Sequence, residues 1–265
     1  MKAVSSRDNP AYKAMARLAA SAPERRRRAL TVLDGAHLVA AFLDAGLAVD
    51  SLMVSRSALE EAEVASLVRR AAPAPVTVLG DALFATLSTV NSATGLLAAV
   101  RVPEGKPVPP GADLVLLLEE IQDPGNLGTL LRSAAAAGVK HVLLSKNSVF
   151  AWSLKVVRAA MGAHFAVNIV EGADLAAFLA AYRGTSVALA GRARSSLYEV
   201  DLRGPVAILV GNEGSGLSKG LLERATTQAR IPMPGAAESL NAAVACSVCL
   251  FEALRQRQSS TDKHR

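Results

Sequence analysis

The chain has 265 residues, 51% of them hydrophobic and 20% charged, which excludes a disordered polymer and allows one large domain or two modest ones. Two cysteines exclude a disulfide framework, and the apolar run 240–251 is too short to span a bilayer. The formal charge of +6 is local: residues 1–28 hold eight Lys/Arg against Asp8 and Glu24, which accounts for all of it, and 21 charges of each sign remain elsewhere.

Residues 1–28 are therefore read as a basic arm, and Lys13 and Arg17 interrupt any signal-peptide core, so the chain is expected to be cytoplasmic with no membrane partner. Clustered cations gain affinity for a polyanion by releasing condensed counterions. The run Arg25, Arg26, Arg27, Arg28 serves equally as a solvated face, and both readings stay open.

Over 29–102, "LTVLDGAHLVAAFLDAG" reads as a strand and a helix ended by Gly46. "SLMVS", a helical stretch over 57–72, "VTVL" and "GLLAAVR" continue the alternation, giving a small α/β domain. Four prolines and two glycines in "VPEGKPVPPGAD" break both periodicities, so 103–112 is a linker. A second α/β domain over 113–258 follows, with strands expected near 114–119, 141–145, 165–170, 186–190, 206–210 and 228–232, then a polar tail over 259–265. Nearly continuous apolar strands such as "LVLLL" and "VAILV" predict a parallel sheet covered on both faces, whose ligands sit at the carboxyl ends of its strands.

Three strand-end loops carry the chemistry. In "LLLEEIQDPGNLGTLLRSAAAAG" Pro124, Gly125 and Gly128 set the turn, and Asn126 suits a helix N-cap. Arg132 falls in a helix otherwise built of leucine and alanine, where an unpaired guanidinium is costly, so it must reach a carboxylate, a phosphate or solvent. "VAILVGNEGSGLSKG" has the spacing of a phosphate-binding loop, from Gly211 through Gly216 to Ser218, but carries Leu217 in place of the lysine and adds Glu213. A carboxylate there repels phosphates and suits a cationic or hydroxyl-bearing ligand; a purely structural turn is the alternative. In "ARIPMPGAAESLNAAVACSVCLFEALRQR" the final helix is expected to start near Ser239, with Ser239 as its simple N-cap and Asn241 beside it. Leu240, Val244, Val248 and Phe251 are the expected core stripe of that helix. Cys246 and Cys249 spell C-x-x-C without further ligands nearby, so no metal is expected and they read as buried core thiols.

Together, "DPGNLGTLLRSAAAAG", "LVGNEGSGLS" and "IPMPGAAESLNAAVA" resemble the three ordered motifs of the SpoU (TrmH-like) family of RNA 2′-O-ribose methyltransferases, in the SPOUT superfamily. The first half is similar, more loosely, to that family's ribosomal-protein-L30e-like RNA-binding domain, with Asp34 where a glutamate is usual. The resemblance implies a deep trefoil knot in the C-terminal domain, a homodimer, and S-adenosyl-L-methionine held around Gly191, Gly211, Gly216, Ile231, Met233 and Leu240. It also implies that Arg132 touches the target nucleotide, as base or as phosphate anchor, and that Asn126, Glu213, Ser239 and Asn241 orient it and the substrate.

The function so implied is methylation of a ribose 2′-hydroxyl, in ribosomal RNA by preference; transfer RNA and a non-catalytic RNA- or ribosome-binding role are the alternatives. A non-catalytic relative should have lost the polar site residues, and all five are present. A P-loop hydrolase conflicts with Leu217 and Glu213, and the G-x-G-x-x-G turn of a dinucleotide fold is missing from the first βα turn.

Overall fold

The computed structural model describes residues 1–88 and 94–261. They form two compact units, one from Met1–Pro103 with Trp152–Phe165 and one from Glu104–Ala151 with the chain from Ala166 onward.

The first unit opens with β1 (Lys2–Val4), α1 (Pro10–Ala20) and α2 (Ala22–Arg28). Residues 1–28 are thus folded into this unit and are not a separate arm. Asn9 caps α1 by accepting from Ala11 N, with proline at the first helical position. Tyr12, Met15 and Leu18, three residues apart, then bury one face against Leu30, Val32, Met53 and Leu97. The arginine run divides accordingly. Arg25 is buried, and its Nη1 donates to the carbonyls of Leu18 and Ala19 at the end of α1, whereas Arg26, Arg27 and Arg28 are exposed and Arg27 pairs with Glu24.

β2 (Leu30–Asp34), α3 (Ala36–Asp44), β3 (Val49–Ser55), α4 (Ala62–Arg70), β4 (Val76–Leu79), α5 (Asp81–Ala85) and β5 (Leu96–Arg101) follow. Their sheet has the order β1-β4-β3-β5-β2, with β5 antiparallel to β2 and β3 and the other pairs parallel. The helix expected over 57–72 is a 3-10 turn at Ala58–Glu60 followed by α4.

The second unit contains β6 (Leu114–Leu118), α6 (Pro124–Ala136) and β7 (His141–Leu144). The chain then forms α7 (Leu154–Ala160), which groups with the first unit although the sequence pattern places it within 113–258. β8 (Asn168–Val170), α8 (Leu175–Ala181), β9 (Thr185–Leu189), β10 (Ser195–Ser196), β11 (Val206–Val210), α9 (Lys219–Arg224), β12 (Thr227–Arg230) and α10 (Ala242–Thr261) complete it. The strands form one parallel sheet in the order β10-β12-β9-β11-β6-β7-β8. β10 is only two residues long and was not foreseen, because "GRARSS" has no apolar run. Every residue of β6 and β11 is buried, as strands covered on both faces require, and their register pairs Leu118 with Val210. This order sets the carboxyl ends of β6, β11, β9 and β12 side by side.

α10 buries a different face from the one expected. Ala243, Cys246, Cys249, Leu250 and Ala253 are inside, while Leu240, Val244 and Phe251 are 39%, 48% and 47% exposed and Val248 is half-buried. Apolar residues surround this helix, so periodicity cannot choose a face. Small residues choose it, since they let α10 approach α6 closely enough for Ser247 Oγ to lie 2.7 Å from Ser133 Oγ. Burial pushes both cysteine thiols up, Cys249 to about 12, so they pack as neutral side chains. No helix among the described residues is long and apolar enough to cross a membrane.

Candidate active site at the strand ends

The loop after β6 is shaped by Asp123. Its Oδ1 accepts from Asn126 N at 2.7 Å and caps α6, and Pro124 takes the first helical position, where no N–H is needed. Asn126 is therefore not the cap. Its carboxamide Nδ2 donates to Glu213 Oε1 at 3.1 Å and its Oδ1 accepts from Asn241 Nδ2 at 2.9 Å. Asn241, in turn, caps α10 by accepting from Ala243 N and Val244 N, a place expected from the sequence for Ser239. Three loops far apart in the chain are thus tied through one row of side chains, Glu213 to Asn126 to Asn241.

Glu213 also accepts from Asp123 N at 3.1 Å and Gln122 N at 3.2 Å. Partial burial pushes its carboxyl up, but hydrogen bonds from Asn126, Gln122 and Asp123 outweigh that and hold it below the ordinary glutamate value. The carboxylate clasps the loop that starts α6.

The glycine loop after β11 closes on itself. Asn212 and Gly216 exchange backbone hydrogen bonds, and Asn212 Oδ1 accepts from Gly214 N, Ser215 N and Ser215 Oγ. Ser218 N donates to Glu119 Oε2 at 2.7 Å. Amides that a phosphate would need are already bound to protein oxygens. Leu217, in the lysine position of a phosphate loop, is buried in the core with Leu117 and Leu209. Gly211 is obligatory, since a Cβ there would come within 2.2–2.4 Å of the backbone of Gly216 and Leu217.

A cavity of about 170 Å³ opens at the ends of β9, β11 and β12. Gly191, Gly211, Gly216, Ile231, Met233 and Leu240 all line it, together with Glu213 and Ser239. Asn126 and Asn241 do not line it and join the site through hydrogen bonds to Glu213 and to each other. Arg132 lies outside both groups: it is exposed on α6 and has no hydrogen bond or ion pair among the described residues. Of the three destinations open to its guanidinium, the structure gives solvent, which removes the desolvation cost inferred from its apolar neighbours in sequence.

The donor set suits a cationic, hydroxyl-bearing ligand. Glu213 and Glu238 bring negative charge to the lining, Leu189, Val210 and Ile231 are among its apolar members, and Arg230, also in the lining, directs Nη1 to the carbonyls of Ala193 and Arg194. Glu238, Asp123 and Asn212 escaped the sequence reading. Asp before Pro is a recognisable helix start, and Asn between glycines is a recognisable side-chain-closed turn.

Residues 113–251 match the model of the SpoU rRNA Methylase family, a span of more than half the chain. The chain belongs to the SpoU rRNA methylase family. Among SpoU relatives, a protein of Xanthomonas campestris pv. campestris named 23S rRNA (guanosine-2'-O-)-methyltransferase RlmB is 42% identical over 176 residues, 65% of this chain and 67% of that protein. One of the same name from Xylella fastidiosa is 44% identical over 150 residues, 56% of this chain and 60% of that protein. The chain thus spans about three fifths to two thirds of the length of these curated relatives. A crystal structure of an AdoMet-bound rRNA methyltransferase from Sinorhizobium meliloti aligns with a TM-score of 0.84 at 30% identity, covering 96% of this chain and 97% of that one.

Proposed function

We propose that this SpoU chain transfers a methyl group from S-adenosyl-L-methionine to a ribose 2′-hydroxyl of ribosomal RNA in the cytoplasm. The observation that carries the reading is the Glu213–Asn126–Asn241 row standing beside a cavity whose lining includes Glu213 and Glu238 and whose glycine loop has the amides of Gly214, Ser215 and Gly216 bonded to protein oxygens. Relatives named as 23S rRNA (guanosine-2'-O-)-methyltransferases support the substrate class, and the AdoMet-bound neighbour supports the cofactor.

Gly191, Gly211, Gly216, Ile231, Met233 and Leu240 would hold the cofactor, which when bound supplies an electrophilic methyl on a sulfonium cation. Glu213 and Glu238, both in the lining, would bring negative charge to its neighbourhood. Glu213, Asn126, Ser239 and Asn241 fix the loops and helix ends that receive the RNA. Arg132, a permanent cation exposed to solvent, anchors an RNA phosphate and aligns the 2′-oxygen for in-line attack. When bound, the cofactor would supply the methyl to the 2′-oxygen, and the hydroxyl proton would pass to an RNA phosphate oxygen, since Arg132 is already fully protonated.

The first unit serves as an RNA-binding domain of the L30e-like type. The second carries the family's trefoil knot, a reading supported by the return of α10 onto α6 and β11. The active form is a homodimer, with a second copy covering Leu240, Val244 and Phe251, whose exposure is the support. Val244→Lys then yields a monomer by light scattering; a monomeric parent protein overturns that part.

Methyl-labelled cofactor and unmodified ribosomal RNA test the whole proposal. Label is expected in an alkali-resistant, 2′-O-methylated dinucleotide. Label in a base, in transfer RNA alone, or nowhere refutes it.

A further inference from the structure

Glu120 is one of three non-glycine residues with positive φ among the described residues, at +52°. It is the second residue past β6, in the loop that leads through Gln122 and Asp123 into α6. A side chain crowds the backbone in this left-handed region, and the conformation persists only where surrounding contacts impose it.

Those contacts are present. Glu120 N donates to Ser145 Oγ at 2.8 Å, and the Glu120 carboxylate accepts from Asn147 Nδ2 at 2.8 Å. The carbonyl, whose direction the turn reverses, accepts from Asn212 Nδ2 at 2.9 Å and more weakly from Gln122 Nε2 at 3.3 Å. Asn212 is thus a two-sided clasp. Its Oδ1 closes the glycine loop that lines the cavity, and its Nδ2 reaches across to the turn that sets the start of α6.

We propose that Asn212 is a positioning residue that couples the cavity loop to α6 by holding Glu120 in its left-handed turn. The inference rests on the methyltransferase reading above and adds to it a residue of the cavity lining whose carboxamide nitrogen is engaged by the turn before α6. Of the two ends of the Asn212 carboxamide, Nδ2 does the coupling, beside the separate clasp of Glu213 on Gln122, Asp123 and Asn126. The Oδ1 contacts keep the cavity loop shaped whether or not α6 is in place.

The two functions separate chemically. Asn212→Asp retains an acceptor for Gly214 N and Ser215 N but replaces the donor to Glu120 with an oxygen that repels the carbonyl. The left-handed turn then loses the stronger bond to its carbonyl and keeps those to Ser145 and Asn147. Cofactor affinity should change by less than kcat for RNA methylation, which falls by roughly five- to a hundred-fold, the range that corresponds to one unsupported left-handed residue. Glycine adopts this conformation without strain. Adding Glu120→Gly to Asn212→Asp should therefore recover kcat to within about threefold of Glu120→Gly alone.

The test is isothermal titration with S-adenosyl-L-methionine and steady-state methylation of ribosomal RNA by the full chain, for the parent and the three variants. Three results overturn the coupling: kcat of Asn212→Asp within twofold of the parent, cofactor affinity falling as far as kcat, or no recovery on adding Glu120→Gly. An inactive parent that binds no cofactor fails the underlying reading instead, and is recognised before any variant is compared.

Discussion

Replacing Glu213 with glutamine alters one atom of the site and has a calculable effect. The carboxylate accepts three hydrogen bonds, with Oε1 serving Asp123 N and Asn126 Nδ2 and Oε2 serving Gln122 N. A carboxamide keeps its oxygen at the doubly used position and sets an NH2 against Gln122 N. One charge-assisted bond is lost and two donors face each other, a cost of about 1–2 kcal/mol once solvent screening of this exposed site is allowed for. The only tryptophan, Trp152, belongs to the first unit, so its fluorescence misses the change. Hydrogen exchange of the Gln122 amide reads it, and exchange should quicken roughly five- to thirty-fold in Glu213→Gln at pH 7. The sign with pH follows from the lowered carboxyl. The stabilisation is complete above the ordinary glutamate value of 4.5 and is lost as pH falls through the lowered folded value, so parent and variant converge as pH is taken well below 4.5. Equal protection at pH 7, or a difference that persists undiminished well below pH 4.5, would refute the clasp.

Arg132→Ala should abolish methyl transfer and leave cofactor binding intact by titration, because the residue is exposed and lies outside the cavity lining; transfer at a near-parental rate removes it from the site. Gly211→Ala forces a Cβ against backbone and should cost about 2 kcal/mol or more, read as lost amide protection in β11, whereas Gly191→Ala meets no atom within 4 Å and should leave that protection unchanged. Arg25→Ala frees two helix-end carbonyls and should destabilise the first unit by about 1–3 kcal/mol, read as a lower urea midpoint by Trp152 fluorescence. Changing Arg26, Arg27 and Arg28 together to alanine should instead spare that midpoint and flatten the salt dependence of RNA binding by roughly 0.7–0.9 for each phosphate no longer neutralised; an unchanged slope makes the run a solvated face.

The strands of the second unit were legible because each is a dense apolar run. Those at 114–118 and 206–210 can be buried on both faces in only one kind of sheet. The start of α6 was misplaced by a step because two polar residues flank Pro-Gly, and only the geometry shows Asp123 capping while Asn126 turns to Glu213. α1 was hidden by its charges, since Tyr12, Met15 and Leu18 are a sparse stripe beside Lys13 and Arg17.

Residue type and spacing alone were enough for the alternation of strand and helix, the three strand-end loops, and the rejection of a phosphate loop at Leu217 and Glu213. Those are local matters of period, sterics and charge. The folded chain was needed to show that Glu213 clasps the loop of α6 and that Asn241 rather than Ser239 caps α10. It was needed equally to place Arg25 within the fold and to turn Leu240, Val244 and Phe251 of the last segment outward. Each depends on which partners the packing of its own unit brings within reach, through the sheet order β9-β11-β6 for the site and through α1 for Arg25, and such reach is a property of space that chain order does not encode.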